Sequence, residues 1–278
     1  MKKKLIALFA ATVLALSVFA LAGCSNSSSN TNTNTNTNSS SSTKTLVVGF
    51  DQDYPPYGFV GDDGKYTGFD IDLATMVAQE NGWNVELSPI DWNAKDALLN
   101  GGNITCIWNG FTYEGREDNY TWSGQYMLNE QVIVVKKGSG ITKEADLSGK
   151  TVLTQVDSGA LEVLEDEEGK AALAKTFKSL ETIDNYNSAF MQLDSGLVDA
   201  VACDLSIAKY QMSANPDKYE IAVVLSEEHY AVGFKKGETE MANAVTETLK
   251  KLDQSGKIKE LCEKYASYGI DYSNWCLQ

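Results

Sequence analysis

Thr45-Leu46-Val47-Val48-Gly49-Phe50-Asp51 is a short apolar run that ends on a carboxylate. Its length and β-branched content fit a strand buried on both faces. Next, Phe69, Leu73, Met76 and Val77 recur at helical spacing until Asn81-Gly82 supplies a stop. Val85 to Ile90 reads as a second strand, Ala94 to Leu99 as a short helix closed by Asn100-Gly101-Gly102, and Ile104 to Trp108 as a third strand. A β-α-β-α-β series of this kind predicts a largely parallel, doubly wound sheet with ligands at the carboxyl ends of its strands.

A second series begins after Gln131-Val132-Ile133-Val134-Val135. Strands over Thr151–Gln155, Phe177–Ile183 and Val198–Cys203 alternate with helices that start near Ser158, run through Phe190 and Leu193, and pass through Ala208. Extended segments over Ile221–Val224 and Tyr230–Phe234 follow, and helices centred on Thr246 and Leu261 finish the chain. The expected architecture is therefore two α/β lobes, residues 45–133 with 229–278 and residues 134–228, joined by strands that cross between them. A cleft between lobes is where a small ligand binds.

The ends add a location. Met1-Lys2-Lys3-Lys4 precedes an apolar run from Leu5 to Leu21 and the small residues Ala22-Gly23 before Cys24. That pattern is a secretory signal over residues 1–23, and Leu21-Ala22-Gly23-Cys24 resembles a bacterial lipobox, which implies lipidation, palmitate included, of Cys24. From Ser25 to Thr43 every residue is Ser, Asn or Thr, a composition that cannot bury apolar surface and serves as a tether over 24–44. The expected location is extracytoplasmic, anchored by lipid to the cell membrane. Without Lys2, Lys3 and Lys4, 20 basic residues face 38 acidic ones, a formal charge of −18; a nucleic-acid partner is excluded on charge. Beyond Cys24 there are Cys106, Cys203, Cys262 and Cys276, without a Cys-x-x-Cys pair, and one histidine, His229, so neither a metal nor a cofactor is expected. A Cys262–Cys276 disulfide stays open.

Strand ends nominate the site. Asp51 and Tyr54 follow the first strand, Trp92 the second, and Asn109, Gly110, Thr112 and Arg116 the third; Ser158 and Gly159 begin a helix of the other lobe, and Asp204 ends one of its strands. Arg116 is the sole arginine, and a guanidinium can hold a planar carboxylate through two parallel hydrogen bonds. Asp204 suits an ammonium, and Tyr54 and Trp92 offer flat faces. Together they describe a receptor for an α-amino acid zwitterion. Plainer roles stand beside these: a solvated surface arginine for Arg116, an N-cap for Asp204 or Ser158, core packing for Trp92, and loop amides for Asp51.

Val48-Gly49-Phe50-Asp51-x-x-Tyr54-Pro55-Pro56-Tyr57-Gly58-Phe59 and Gly68-Phe69-Asp70-Ile71-Asp72-Leu73-Ala74 resemble the opening of polar amino-acid ABC-transporter substrate-binding proteins, extracellular solute-binding family 3. The likeness continues through Gly110-Phe111-Thr112…Arg116, Gln155-Val156-Asp157-Ser158, Val198 to Asp204 and Leu252 to Tyr265, covering Thr45 to Tyr268. It implies a type II venus-flytrap closing about two hinge strands. By resemblance, Arg116 holds the ligand carboxylate with Thr112 and the Ser158–Gly159 amides. Asp204, Thr112 and the Gly110 carbonyl hold the ammonium, Tyr54 and Trp92 sandwich the side chain, and Asp51 meets its polar end. The Gly110–Arg116 spacing is one residue shorter than the common pattern, Asp157 stands where glycine is usual, and Gly159 replaces Ser or Thr. The expected function is a monomeric, non-catalytic lipoprotein that delivers an amino acid, basic or neutral polar, to an ABC permease; cystine also stays open. A cyclohexadienyl-dehydratase-like enzyme and a ligand sensor are the alternatives.

Overall fold

In the computed structural model, which describes residues 43–277, thirteen strands are arranged in three sheets. In chain order they are β1 Thr45–Phe50, β2 Asp53–Tyr54, β3 Gly58–Val60, β4 Tyr66–Thr67, β5 Asn84–Pro89, β6 Cys106–Ile107, β7 Thr121–Trp122, β8 Met127–Lys136, β9 Thr151–Gln155, β10 Ser179–Ile183, β11 Ala200–Asp204, β12 Tyr219–Tyr230 and β13 Gly233–Phe234. The helices are α1 Phe69–Glu80, α2 Lys95–Gly101, α3 Gly159–Glu165, α4 Ala171–Ala174, α5 Tyr186–Ser195, α6 Leu205–Ala214, α7 Thr239–Gln254 and α8 Lys257–Lys264. Residues 1–23, Cys24 and nearly all of the Ser/Asn/Thr tether lie outside the described residues. Among those described, no helix is long and apolar enough to cross a membrane.

Two five-stranded sheets carry the lobes, in the orders β5-β1-β6-β13-β7 and β10-β9-β11-β8-β12. In the first, β1 runs parallel to β5 and β6, while β13 is antiparallel to β6 and β7. In the second, β9, β10 and β11 are parallel, while β8 and β12 are antiparallel additions. The buried strands answer to the apolar runs: Val132 to Val135 of β8 are all fully buried, each burial contributing about 1.5–3 kcal/mol. Both expected lobe boundaries, 133/134 and 228/229, fall inside β8 and β12, the two longest strands, which pair with each other over most of their length. By hydrogen bonding these strands belong to the second sheet from Met127 onward.

Local differences from the sequence reading are small and have causes. The strand expected over Ile104–Trp108 pairs only at Cys106–Ile107. Thr105 instead spends its hydroxyl on the Val47 N–H and carbonyl, at 2.8 and 3.0 Å, and the chain turns at Gly110 soon after. α2 ends with Gly102 in the left-handed region at φ +76°, the conformation glycine adopts without a Cβ penalty. The short meander β2-β3-β4 carries too little pattern to be read from sequence. Cys262 and Cys276 are free thiols, so the open disulfide is not formed.

Candidate functional site

Arg116 lies on the loop that leaves β6, and that loop is braced from behind. Gly110 has φ +56°, and a Cβ added there would sit 3.2 Å from the Tyr54 and Tyr230 rings; backbone conformation and space both call for glycine. The Gly110 N–H donates to Asp70 Oδ2 at 2.5 Å, and the Tyr126 hydroxyl donates to both Asp70 oxygens at 2.9 Å. Asp70, in the first turn of α1, is fully buried, and burial pushes its pKa up to about 7 despite these bonds. Arg116 itself is buried, its guanidinium 5.5 Å from the Phe111 ring centre. It does not point to solvent, which removes the plainest alternative.

From the second lobe, Asp157, Ser158 and Gly159 follow β9. Asp157 takes a left-handed φ of +56°, where non-glycine residues are uncommon and Asp is among the better tolerated. Its carbonyl faces the first lobe, accepting from Trp92 Nε1 at 3.1 Å and Arg116 Nη2 at 3.3 Å, while its carboxylate pairs with the buried Lys95. Arg116 Nη2 also lies 2.9 Å from Glu162 Oε2 on α3. The Ser158 hydroxyl caps α3 by accepting from the Leu161 N–H at 3.2 Å, so its side chain performs the plainer role and only its main chain is left for a ligand.

Asp204 does the reverse. It stands at the N-cap of α6 and makes no side-chain cap bond. Instead Asp204 Oδ1 accepts from Asn129 Nδ2 at 3.0 Å, Gln131 Nε2 at 2.8 Å and the Tyr230 hydroxyl at 2.8 Å. Glu228, on β12, takes the same two amides: its Oε1 accepts from Asn129 Nδ2 at 2.7 Å, Gln131 Nε2 at 2.8 Å and Thr112 Oγ1 at 3.2 Å. Glu228 is 2 % exposed, and burial, with the Asp204 charge beside it, pushes its pKa up to about 8.

Tyr54, Trp92, Gly110, Thr112, Arg116, Ser158, Gly159 and Asp204 surround one narrow, tightly closed cavity, with Phe111 and Gln155 completing its wall. Eight of the ten residues proposed from sequence thus meet around one space between the lobes. Asp51 and Asn109 do not line it. Asp51 closes a neighbouring recess beyond Trp92, with Asp53, Asp91 and Asp184; its carboxylate accepts from the Asp53 N–H at 2.8 Å and from Gln155 Nε2 at 2.7 Å, and burial raises its pKa. Asn109 is buried against the β3 turn, where its Oδ1 would meet a Cβ on Gly58.

Sequence reasoning missed Asp70, Lys95, Gln155, Glu162 and Glu228, and the pair Asn129 and Gln131. The last pair had a signal. Polar side chains two apart in an apolar strand point to one face, and here that face meets Asp204 and Glu228. Asp70 and Glu228 carried none, because each depends on a partner far away in the chain.

Residues 46–268 match the sequence model of the bacterial extracellular solute-binding proteins, family 3. The L-cystine-binding protein of Escherichia coli K12 is 29 % identical over 231 residues, covering 82 % of this chain and 84 % of that protein. A Streptococcus pneumoniae ABC uptake transporter substrate-binding protein, solved with bound histidine, superposes with a TM-score of 0.77 at 34 % identity, covering 82 % of this chain and 94 % of that one. An ancestral amino-acid-binding protein, described as a precursor of cyclohexadienyl dehydratase, superposes with a TM-score of 0.69 at 30 % identity, covering 80 % and 94 % respectively.

Proposed function

The chain belongs to the bacterial extracellular solute-binding proteins of family 3, and from that premise we propose that it captures a free α-amino acid between its lobes and delivers it to an ABC importer. One observation carries the reading: the buried guanidinium of Arg116 and the buried carboxylate of Asp204, one from each lobe, face the same small cavity. Opposite charges held apart in a water-poor site select a ligand with both charges. Arg116 takes the α-carboxylate with the Thr112 hydroxyl and the Ser158 and Gly159 amides. Asp204, Thr112 and the Gly110 carbonyl take the α-ammonium. Tyr54 and Trp92 flank the side chain, Asn109 supports the wall, and Asp51 meets the side chain's polar end through the recess behind Trp92.

That recess, lined by Asp51, Asp53, Asp91 and Asp184, favours a basic or neutral polar side chain over an acidic one. Ligand bridging Arg116 and Asp204 stabilises the closed arrangement by its higher affinity for that state. No covalent step is required, and the protein is non-catalytic. Residues 1–23 direct export, a lipidated Cys24 with the following tether holds the monomeric body at the membrane, and the permease is its partner there. Palmitate labelling that survives Cys24→Ala would remove the anchor from this account.

The deciding experiment is thermal unfolding of the purified protein against each amino acid, cystine and prephenate. A ligand at a hundredfold excess over its Kd adds about 2.7 kcal/mol, or several degrees at this size. A shift with one or a few α-amino acids is expected. Prephenate turnover, with silence across the amino acids, overturns the reading in favour of an enzyme on the same fold.

A further inference from the structure

Asp204 and Glu228 share their donors. Asn129 Nδ2 and Gln131 Nε2 each donate to both carboxylates, the Tyr230 hydroxyl completes Asp204, and the Thr112 hydroxyl completes Glu228. All six bonds go to Asp204 Oδ1 and Glu228 Oε1, and the second oxygen of each carboxylate takes none of them. Gln131 Oε1 is buried beside them with no hydrogen-bond partner among the described residues. Two carboxylates this dry, fed only by neutral donors, need a shared cation or a shared proton.

The chain makes room for this pair at Gly159. A Cβ there would lie 2.8 Å from Thr112 Oγ1, 2.9 Å from Gln131 Nε2 and 3.2 Å from Glu228 Oε2. Glu228 therefore reaches past the bare Cα of a residue that lines the ligand cavity, and Thr112 borders both. We propose that Glu228 is a second ligand-binding carboxylate, which closes with Asp204 and Thr112 a cage for the α-ammonium of the bound amino acid. A proton held by the pair in the empty protein leaves for solvent as the ammonium enters. The assignment rests on the amino-acid reading of the site.

Charged and polar groups face Glu228 from several elements. β11 presents Asp204, β8 presents the uncharged amides of Asn129 and Gln131, and its own strand adds the buried Tyr230. Glu228 also borders the outer groove, whose charged lining is Arg116 with Glu114, Asp157, Glu162, Glu165, Asp166 and Glu227. With the pKa of Glu228 raised to about 8, the empty pair is mostly protonated at pH 7. Ammonium binding selects the ionised form, so affinity rises with pH up to about 8.

The test is calorimetric titration of the wild-type protein and Glu228→Gln with L-arginine, L-histidine, L-glutamine and L-cystine, at pH 6 to 7.5, in phosphate and in Tris. The wild type should bind at least one of them and release a large fraction of one proton, read as a binding heat that depends on the buffer. Its affinity should rise about twentyfold from pH 6 to 7.5. Glu228→Gln should bind more weakly, by at least tenfold, without proton release and with a flat profile. Wild-type binding with no buffer-dependent heat overturns the assignment and leaves the amino-acid reading intact, whatever the variant's folding. If none of the four binds, the titration is run with whichever amino acid shifts the thermal midpoint, and if none in that screen does, the amino-acid reading fails and this assignment falls with it.

Discussion

The two ends of the cavity neutralise their charges in opposite ways. At one end Arg116 meets a counter-charge already in the chain, Glu162, 35 % exposed beside a groove open to solvent. At the other, Asp204 meets only amides and hydroxyls, all buried, with a second carboxylate alongside. The first end is balanced before the ligand arrives, so an incoming carboxylate must compete with Glu162. The second end lacks a positive charge until an ammonium supplies one. Affinity should therefore be generated mainly at the Asp204 end and trimmed at the Arg116 end.

The largest effects come from deleting either pole. Arg116→Ala and Asp204→Ala should each cost about 3–5 kcal/mol of binding, because the first leaves the ligand carboxylate buried without a cation and the second removes one of the two carboxylates that cage the ammonium. Micromolar ligand should then give no detectable heat, and near-wild-type affinity in Arg116→Ala sinks the clamp. An effect of a few kcal/mol is expected on the stability of the empty protein. Asp70 and Glu228 both titrate higher in the folded chain, at about 7 and about 8, than the ~4 of an unfolded carboxyl. The stability this protonation contributes is present below about pH 4 and is lost as pH rises through 7 to 8. Thermal midpoints should fall between pH 5 and pH 8, and Asp70→Asn should flatten part of that slope. A midpoint that climbs over this range would contradict both shifts.

A smaller effect tests the contact between lobes. Lys95 is 1 % exposed and, among the described residues, its one ion-pair partner is Asp157, across the cleft. Asp157→Asn keeps a residue that tolerates the left-handed backbone but strands the lysine, and should weaken binding by roughly 1–3 kcal/mol. The smallest effect has the opposite sign. Glu162→Gln frees Arg116, and because the pair is partly solvated the gain should be at most about 1 kcal/mol, a severalfold tighter Kd. Weaker binding in Glu162→Gln would mean that the glutamate orients Arg116 and does not compete with the ligand.

These expectations separate what was legible in the chain from what was not. The central strands of both sheets were readable because runs such as Thr45–Phe50 and Val132–Val135 are written locally in residue type and length. Arg116 was readable because it is alone, and Asp204 because it ends a strand facing the cleft. Asp51 was correctly placed after its strand, yet Gln155 and the Asp53 N–H hold its carboxylate outside the cavity wall, a detail set by residues 104 positions apart. Glu228 was invisible for the same reason. On β12 it looks like one more acid of an acidic surface, and only the pairing of β12 with β8, which sets Glu228 opposite Asn129, turns it inward. Asp157 drew notice only as an unusual residue at a glycine position; its carbonyl contacts to Trp92 and Arg116 arise when the lobes meet.

The hydrogen bond from Trp92 Nε1 to the Asp157 carbonyl spans the cleft, so it can exist only while the protein is shut. Opening would expose one face of a ring that is 8 % exposed here and exchange a carbonyl partner for water. Trp92 is thus a built-in fluorophore for closure, and the emission change lost in Trp92→Phe would time the clamp on mixing, with no dye attached.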